Sequence, residues 1–308
     1  MRVGVMGLGD IAQKAYLPIM AGMEGVDWVL CTRKTSVLEG MKARYRLTEG
    51  VQTLDELIGK GVNAVFVHTA TESHPTIIEA LLNAGIHVYV DKPIAYACEE
   101  AIRLTELARE KGCVLMTGFN RRYSPMVSEL TSVKERSYIY MEKNRVNHPD
   151  YARRFIFDDF IHVVDTLSFL SPGQIRDVSV STLVKDGLLY QVFLKLEGDG
   201  FTSVGLMNRD SGLTEERLEV IGTGQKMMVR DLNSTVHLVQ EEEKLRKFGD
   251  WVPVLKRRGF EDIIRHFLLS ASGMKDPSPS MDEALETHVL CERIVKLAEE
   301  QGAEPWGR

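Results

Sequence analysis

Asp158, His162 and Asp165 stand four and seven residues apart in the run Asp158-Asp159-Phe160-Ile161-His162-Val163-Val164-Asp165. On a helix that spacing lines up an imidazole and two carboxylates along one stripe. Such a stripe could do general acid–base work, because histidine titrates near neutrality and a carboxylate can orient its ring. The same spacing fits a helix start whose aspartates favour the positive end and whose histidine is satisfied in the core. A second reactive group is Lys92, in the run Val90-Asp91-Lys92-Pro93 at the end of the fourth or fifth expected parallel strand. Ligands of open parallel sheets bind beyond the carboxyl ends of the strands, where a lysine can reach them. Pro93 fixes the backbone after Lys92 and Asp91 supplies a neighbouring charge, although a surface lysine at a strand end reads the same way.

A cofactor is indicated earlier in the chain. Gly7-Leu8-Gly9-Asp10-Ile11-Ala12 follows an apolar run, Val3 to Met6, and opens a helical stretch. In that context a G-x-G-x-x-A pattern is a dinucleotide-binding turn: Gly7 permits the tight turn, Gly9 lets the backbone approach a pyrophosphate, and Ala12 packs helix on strand. About 20 residues on, an NAD enzyme should carry an acid for the adenosine ribose. Here the second strand ends Cys31-Thr32-Arg33-Lys34. A hydroxyl, a guanidinium and an ammonium would bind a 2′-phosphate that a carboxylate would repel, which points to NADP rather than NAD. Arg33 and Lys34 also suit solvated helix-entry positions.

The elements that must position these groups fall into two expected domains, residues 1–118 and 119–308. The first alternates strands and helices: Val3 to Met6, Asp10 to Met20, Trp28 to Cys31, Leu38 to Tyr45, Ala64 to His68, Thr76 to Asn83, His87 to Val90, Glu99 to Lys111 and Val114 to Thr117. Repeated strand–helix–strand units predict an α/β, doubly wound parallel sheet. The second predicts an α+β domain with a mostly antiparallel open sheet, with strands at Ile175 to Val184, Leu188 to Leu196, Phe201 to Leu206, Leu218 to Ile221, Lys226 to Arg230 and Ser234 to Leu238. Two closing helices, Phe260 to Ser270 and Met281 to Gln301, follow. The charge run Glu241 to Lys244 reads as a solvated loop.

Composition bounds the function classes. The chain has 308 residues, 38 basic against 44 acidic, and a net charge of −6, enough length for two cores without staples. With no Lys/Arg-dense arm, nucleic acid is not an expected partner. Cys31, Cys98, Cys113 and Cys291 form no metal-ligand or CxxC spacing, so reduced thiols, no metal and a cytoplasmic location are expected. No apolar window reaches the ~20 residues of a membrane span, and the glycine-rich start lacks a signal-peptide pattern.

Gly7-x-Gly9-x-x-Ala12, the turn Thr69-Ala70-Thr71-Glu72-Ser73-His74, Asp91-Lys92-Pro93 and Asp158-x-x-x-His162-x-x-Asp165 together resemble, in order and spacing, the Gfo/Idh/MocA family of oxidoreductases. Gly118-Phe119-Asn120-Arg121-Arg122-Tyr123 and the Asp158 to Asp165 run are most similar to its MviM-like members. The resemblance implies hydride transfer between a nicotinamide and a sugar, cyclitol or related polyol carbon. It implies that Lys92 polarises the reacting hydroxyl, that His162 is the general acid–base, and that Asp158 is the carboxylate of the same trio. Thr69, Thr71, His74, Asp91 and Lys92 would lie along the cofactor with Gly7, Gly9, Asp10, Ile11, Ala12, Thr32, Arg33 and Lys34. Lys143, Asn144 and Arg145 could face the substrate, although on one strand they cannot all point the same way. Asn120, Arg121, Arg122 and Asp165 are further candidates, for salt bridges as much as for substrate.

Three departures from the family pattern stand out: Asp91 where Glu is commoner, Thr32 in place of the ribose-binding acid, and Arg153-Arg154-Phe155-Ile156-Phe157 where a glycine cluster is usual. The last admits a sugar acid or phosphorylated sugar as substrate. Two other functions remain compatible: a redox-silent NADP-binding sensor, and an NAD-dependent glycoside hydrolase on the same fold. A broad sheet with helices for only one face implies a homodimer or homotetramer packed through the C-terminal sheet.

Overall fold

The computed structural model describes residues 1–306. One unit comprises Met1–Gly118 and Phe260–Glu286. Its six parallel strands are β1 (Arg2–Met6), β2 (Asp27–Cys31), β3 (Glu49–Val51), β4 (Ala64–Val67), β5 (His87–Val90) and β6 (Leu115–Thr117), in the order β3-β2-β1-β4-β5-β6. Runs such as Ala64–Val67 are buried residue by residue, as strands covered on both faces must be. The strand order reverses between β1 and β4, which makes the crevice beyond their carboxyl ends the topological switch point.

Two short elements lie outside the expected set. β3 has only three residues, too few for a pattern. The helix Leu54–Gly59 is started by a capping box, with Thr53 Oγ1 accepting from the Glu56 amide at 3.2 Å and the Glu56 carboxylate accepting from the Thr53 amide at 3.2 Å. After Gly259 the chain rejoins this unit. Phe260 and Phe267, on the helix Phe260–Ala271, pack against Tyr16 and Phe66 at ring separations of 5.4 and 4.8 Å.

The other unit comprises Phe119–Gly259 and residues 287–306. Its strands are β7 (Tyr138–Asn144), β8 (Ile175–Lys185), β9 (Leu188–Gly198), β10 (Phe201–Asn208), β11 (Glu215–Gly222), β12 (Gln225–Arg230), β13 (Ser234–Val239) and β14 (Glu242–Lys247). They form one sheet ordered β14-β13-β12-β11-β7-β10-β9-β8, antiparallel except where β7 meets β10. The helix Ile161–Leu170 lies against β10 at Gly205, where a Cβ would come within 2.8 Å of Val163 and 3.0 Å of Leu167. Along β9, Val192, Leu194 and Leu196 are buried while Phe193 stands 40% exposed on the opposite face.

The charge run expected to be a loop is instead a strand for most of its length. β14 pairs with β13 and every one of its residues is exposed. An edge strand needs one ladder partner only, and charged side chains on it discourage a second. All four cysteines are buried and outside any disulfide, and among the described residues no helix is long and apolar enough to cross a membrane.

Candidate functional site

A cavity of about 610 Å³ opens in the first unit, lined by the turn after β1, the ends of β2 and β4, and Gln52 beyond β3. Gly7 has φ +90°, and a Cβ there would lie 2.7 Å from the His68 carbonyl carbon and the Thr69 nitrogen, so only glycine fits. At Gly9 a Cβ would meet nothing within 4 Å; the position faces open space. Gln13 pins the turn by donating from Nε2 to the Leu8 carbonyl at 2.8 Å. Ala12 is fully buried, whereas Asp10 and Ile11 are exposed and Asp10 pairs with Lys14 at 2.8 Å. This glycine turn at the switch point, open at Gly9, fits the phosphates of a dinucleotide.

Thr32, Arg33, Lys34 and Gln52 continue the lining, which contains no carboxylate. Gln52 Nε2 donates to Thr35 Oγ1 at 2.7 Å and to the Arg33 carbonyl at 3.3 Å, tying down the loop that presents the two exposed basic side chains. Burial pushes the Cys31 thiol up to about 11, so it stays protonated at neutral pH. His68 packs against Tyr16 with ring centroids 3.9 Å apart and planes tilted by 37°, and burial pulls its imidazole down to about 3, leaving it neutral. Gln13, Gln52 and His68 join the lining without any motif to announce them. Thr69, Ala70 and Ser73 line it too; Thr71, Asp91 and Lys92 do not.

His74 is buried, and both of its ring nitrogens face backbone carbonyls: Nδ1 that of Pro93 at 2.8 Å, Nε2 that of Thr69 at 3.1 Å. Burial lowers its pKa, opposed by the two carbonyls and by Asp91. Half-buried Lys92 follows β5, and its amide donates to Asp91 Oδ1 at 3.0 Å. Behind this loop the Tyr16 and Tyr89 hydroxyls lie 2.8 Å apart. A Cβ on Gly118 would lie 2.7 Å from the Tyr89 hydroxyl and 3.2 Å from Asp91 Oδ1.

In the second unit, Phe155–Phe160 is wound as a π-helix that continues into the α-helix Ile161–Leu170. Asp158 belongs to the first and His162 to the second, and both are half-buried. A π-turn rotates side chains away from regular helical spacing, so the expected single stripe is not simply i, i+4, i+7. Asp165 is held elsewhere. Its carboxylate is fully buried and accepts from Arg122 Nε at 3.1 Å and Nη2 at 2.8 Å.

Most of the remaining expected substrate residues enter a buried chain of ion pairs. Arg145 donates to Asp159 from Nε at 2.8 Å and Nη2 at 3.1 Å, and Lys143 Nζ lies 2.8 Å from Asp159 and 3.6 Å from Glu216. Arg121 completes the chain on Glu216 at 2.5 Å. Asn120 donates to the Arg258 carbonyl at 2.8 Å. Asn144 donates to Glu142 at 2.8 Å and Glu215 at 3.0 Å. Burial pulls the Lys143 ammonium down to about 8 in spite of Glu216. Burial would raise the Asp159 carboxyl, but the Arg145 bonds and the Lys143 charge outweigh it and hold it well below the usual range. Asp159 and Glu216 were not foreseen, since 57 residues of sequence separate the two acids that Lys143 brings together. Arg153, expected to make the approach basic, is neutralised by Glu292 at 2.5 Å, while Arg154 is exposed.

Residues 1–119 match the model of the Gfo/Idh/MocA oxidoreductase family with its NAD-binding Rossmann fold, and residues 125–242 match the YceM-like C-terminal domain. The chain is 31% identical to YceM of Salmonella typhimurium over 304 residues, 96% of each protein. It is 22% identical to the myo-inositol 2-dehydrogenase of Thermotoga maritima over 268 residues, 79% of each. The crystal structure of the dehydrogenase MviM from Clostridium difficile superposes with a TM-score of 0.91 at 34% identity, covering 96% of this chain and 99% of that one. Relatives at this identity, matched from end to end, make this chain a member of the Gfo/Idh/MocA oxidoreductase family.

Proposed function

We propose that this chain is an NADP-dependent dehydrogenase or reductase acting on a hydroxyl or carbonyl carbon of a sugar, cyclitol or sugar acid. The observation that carries the reading is the lining of the dinucleotide cavity: Gly7 and Gly9 at one side, Thr32, Arg33 and Lys34 at the other, and no carboxylate between them. A 2′-phosphate finds donors there, and nothing repels it. When bound, the nicotinamide supplies the hydride acceptor or donor.

The chain's own residues do the rest. His162 takes the proton from the substrate hydroxyl as the carbon is oxidised, or returns it in reduction. Asp158 orients that imidazole or binds a neighbouring hydroxyl. Lys92 stabilises the negative charge that develops on the reacting oxygen. The sugar-like substrate class is supported by the four-motif match and by the inositol dehydrogenase among the relatives. Exposed Arg154 admits a sugar acid or phosphorylated sugar. We place the protein in the cytoplasm, and its second sheet, with Phe193 and Leu245 exposed, against a second copy of the chain.

The test is a screen of sugars, sugar acids and cyclitols against NADP and NAD, read by the absorbance of reduced nicotinamide. Turnover with NADP on at least one polyol is the expected result. Tight NADP binding without turnover on any of them would instead make the protein a sensor, and hydrolysis of a glycoside with transient cofactor reduction would make it a hydrolase.

A further inference from the structure

The Thr69 turn lines the dinucleotide cavity and Lys92 stands on the loop after β5. A single buried side chain reaches both. His74 Nδ1 lies 2.8 Å from the carbonyl oxygen of Pro93, the residue after Lys92, and Nε2 lies 3.1 Å from the carbonyl oxygen of Thr69. Carbonyl oxygens only accept, so each of these contacts becomes a hydrogen bond only when the nitrogen facing it carries a proton. The ring is 1% exposed and both of its nitrogens are already occupied by backbone, which removes it from direct contact with a cofactor. Aliphatic or hydroxyl side chains at this position could not span two carbonyls on opposite edges of one flat ring.

We propose that His74 is a positioning residue for Lys92, its ring fixing the spacing between the Thr69 turn that lines the cofactor cavity and the loop that carries the lysine. The proposal rests on the functional reading above for the roles of cavity and lysine, but the clamp itself is a matter of geometry. Burial draws the imidazole toward its neutral form, which has one N–H to give, so the two tautomers hold one loop each and the ring can exchange between them.

The two edges of the ring can be mimicked separately. In the full chain, His74→Asn places an amide donor near the Nδ1 position, toward Pro93, and His74→Gln places one near Nε2, toward Thr69; His74→Ala keeps neither. The first measurement is NADP affinity by calorimetry. The second is amide hydrogen exchange over the Thr69–Ser73 turn and the Lys92–Tyr96 segment, which needs no substrate. His74→Asn is expected to weaken NADP binding about tenfold and speed exchange in the turn while the Lys92 segment stays protected. His74→Gln should do the reverse, keeping affinity and losing protection around Lys92. On a substrate from the screen, the glutamine variant should then lose kcat with little change in the KM for NADP. Equal losses in both segments for the asparagine and glutamine variants would mean a general packing defect and overturn the proposal, as would parental affinity and exchange in either of them. If no polyol is turned over, the enzymatic reading fails while affinity and exchange still decide the clamp.

Discussion

Arg122 and Asp165 bind each other through three contacts of 2.8 to 3.1 Å, with side chains only 3% and 1% exposed. Both are candidates for substrate binding on sequence grounds, yet a pair this well matched and this dry has its hydrogen-bonding capacity committed to the protein. Removing one partner leaves the other as an uncompensated buried charge. Asp165→Asn is therefore expected to cost about 3 to 5 kcal/mol of stability, read by urea unfolding. A loss near the 0 to 1 kcal/mol typical of surface pairs would show that Arg122 finds water instead.

Cofactor choice should follow the loop after β2. Arg33→Asp places a carboxylate where the 2′-phosphate is proposed to sit, and NADP affinity should fall by about ten- to a hundredfold while NAD binding improves. Calorimetry with both cofactors on parent and variant measures this, and equal parental affinities would remove the claim.

Lys92→Ala and His162→Ala should each lower turnover by about a hundredfold or more, the loss expected when a proton-transfer group or an oxyanion partner is removed. Neither side chain lines the dinucleotide cavity, so NADP affinity should stay close to parental. Near-parental rates in either variant on a verified substrate would sink the role given to that residue.

Asp159 sets an acid limit on stability. Its carboxyl is held below its ordinary value by Arg145 and Lys143 against the effect of burial. A depressed acid contributes stability that is complete above its unfolded pKa of about 3.9 and is lost as pH falls below it toward the folded value. Parent protein should lose stability steadily below about pH 4, and Asp159→Asn, though less stable at neutrality, should show a shallower acid slope. Denaturant midpoints across that range provide the measurement; parallel slopes would contradict the assignment.

The exposed face of the second sheet predicts self-association. Sedimentation at micromolar concentration should give a dimer or tetramer, and Phe193→Lys with Leu245→Lys should shift it toward monomer. A monomeric parent would count against the assembly.

Much of this was legible in the residues. Apolar runs at β-α spacing specify a doubly wound sheet because a parallel strand must be buried on both faces, and Gly/Asp turns between Ile175 and Leu238 specify hairpins because only short connections join antiparallel neighbours. Gly7 was readable because its backbone conformation and its closeness to His68 and Thr69 exclude every side chain. β3 was not, since three residues carry no periodicity, and β14 hid behind its charges because an edge strand has no buried face to advertise.

Site chemistry divides along the same physical line. Local sequence determined which residues could bind phosphate or move protons, since those properties belong to side-chain type and to the turn or helix that presents it. Only the tertiary structure decided how each group is engaged. It gave Asp165 to Arg122 and Arg153 to Glu292, linked Lys143 with Asp159 and Glu216 across 73 positions of chain, and turned His74 from a cofactor candidate into a bridge between Thr69 and Pro93. Ion pairs and two-sided hydrogen bonds depend on which strands become neighbours, and that is fixed by long-range packing that leaves no periodic trace in the chain.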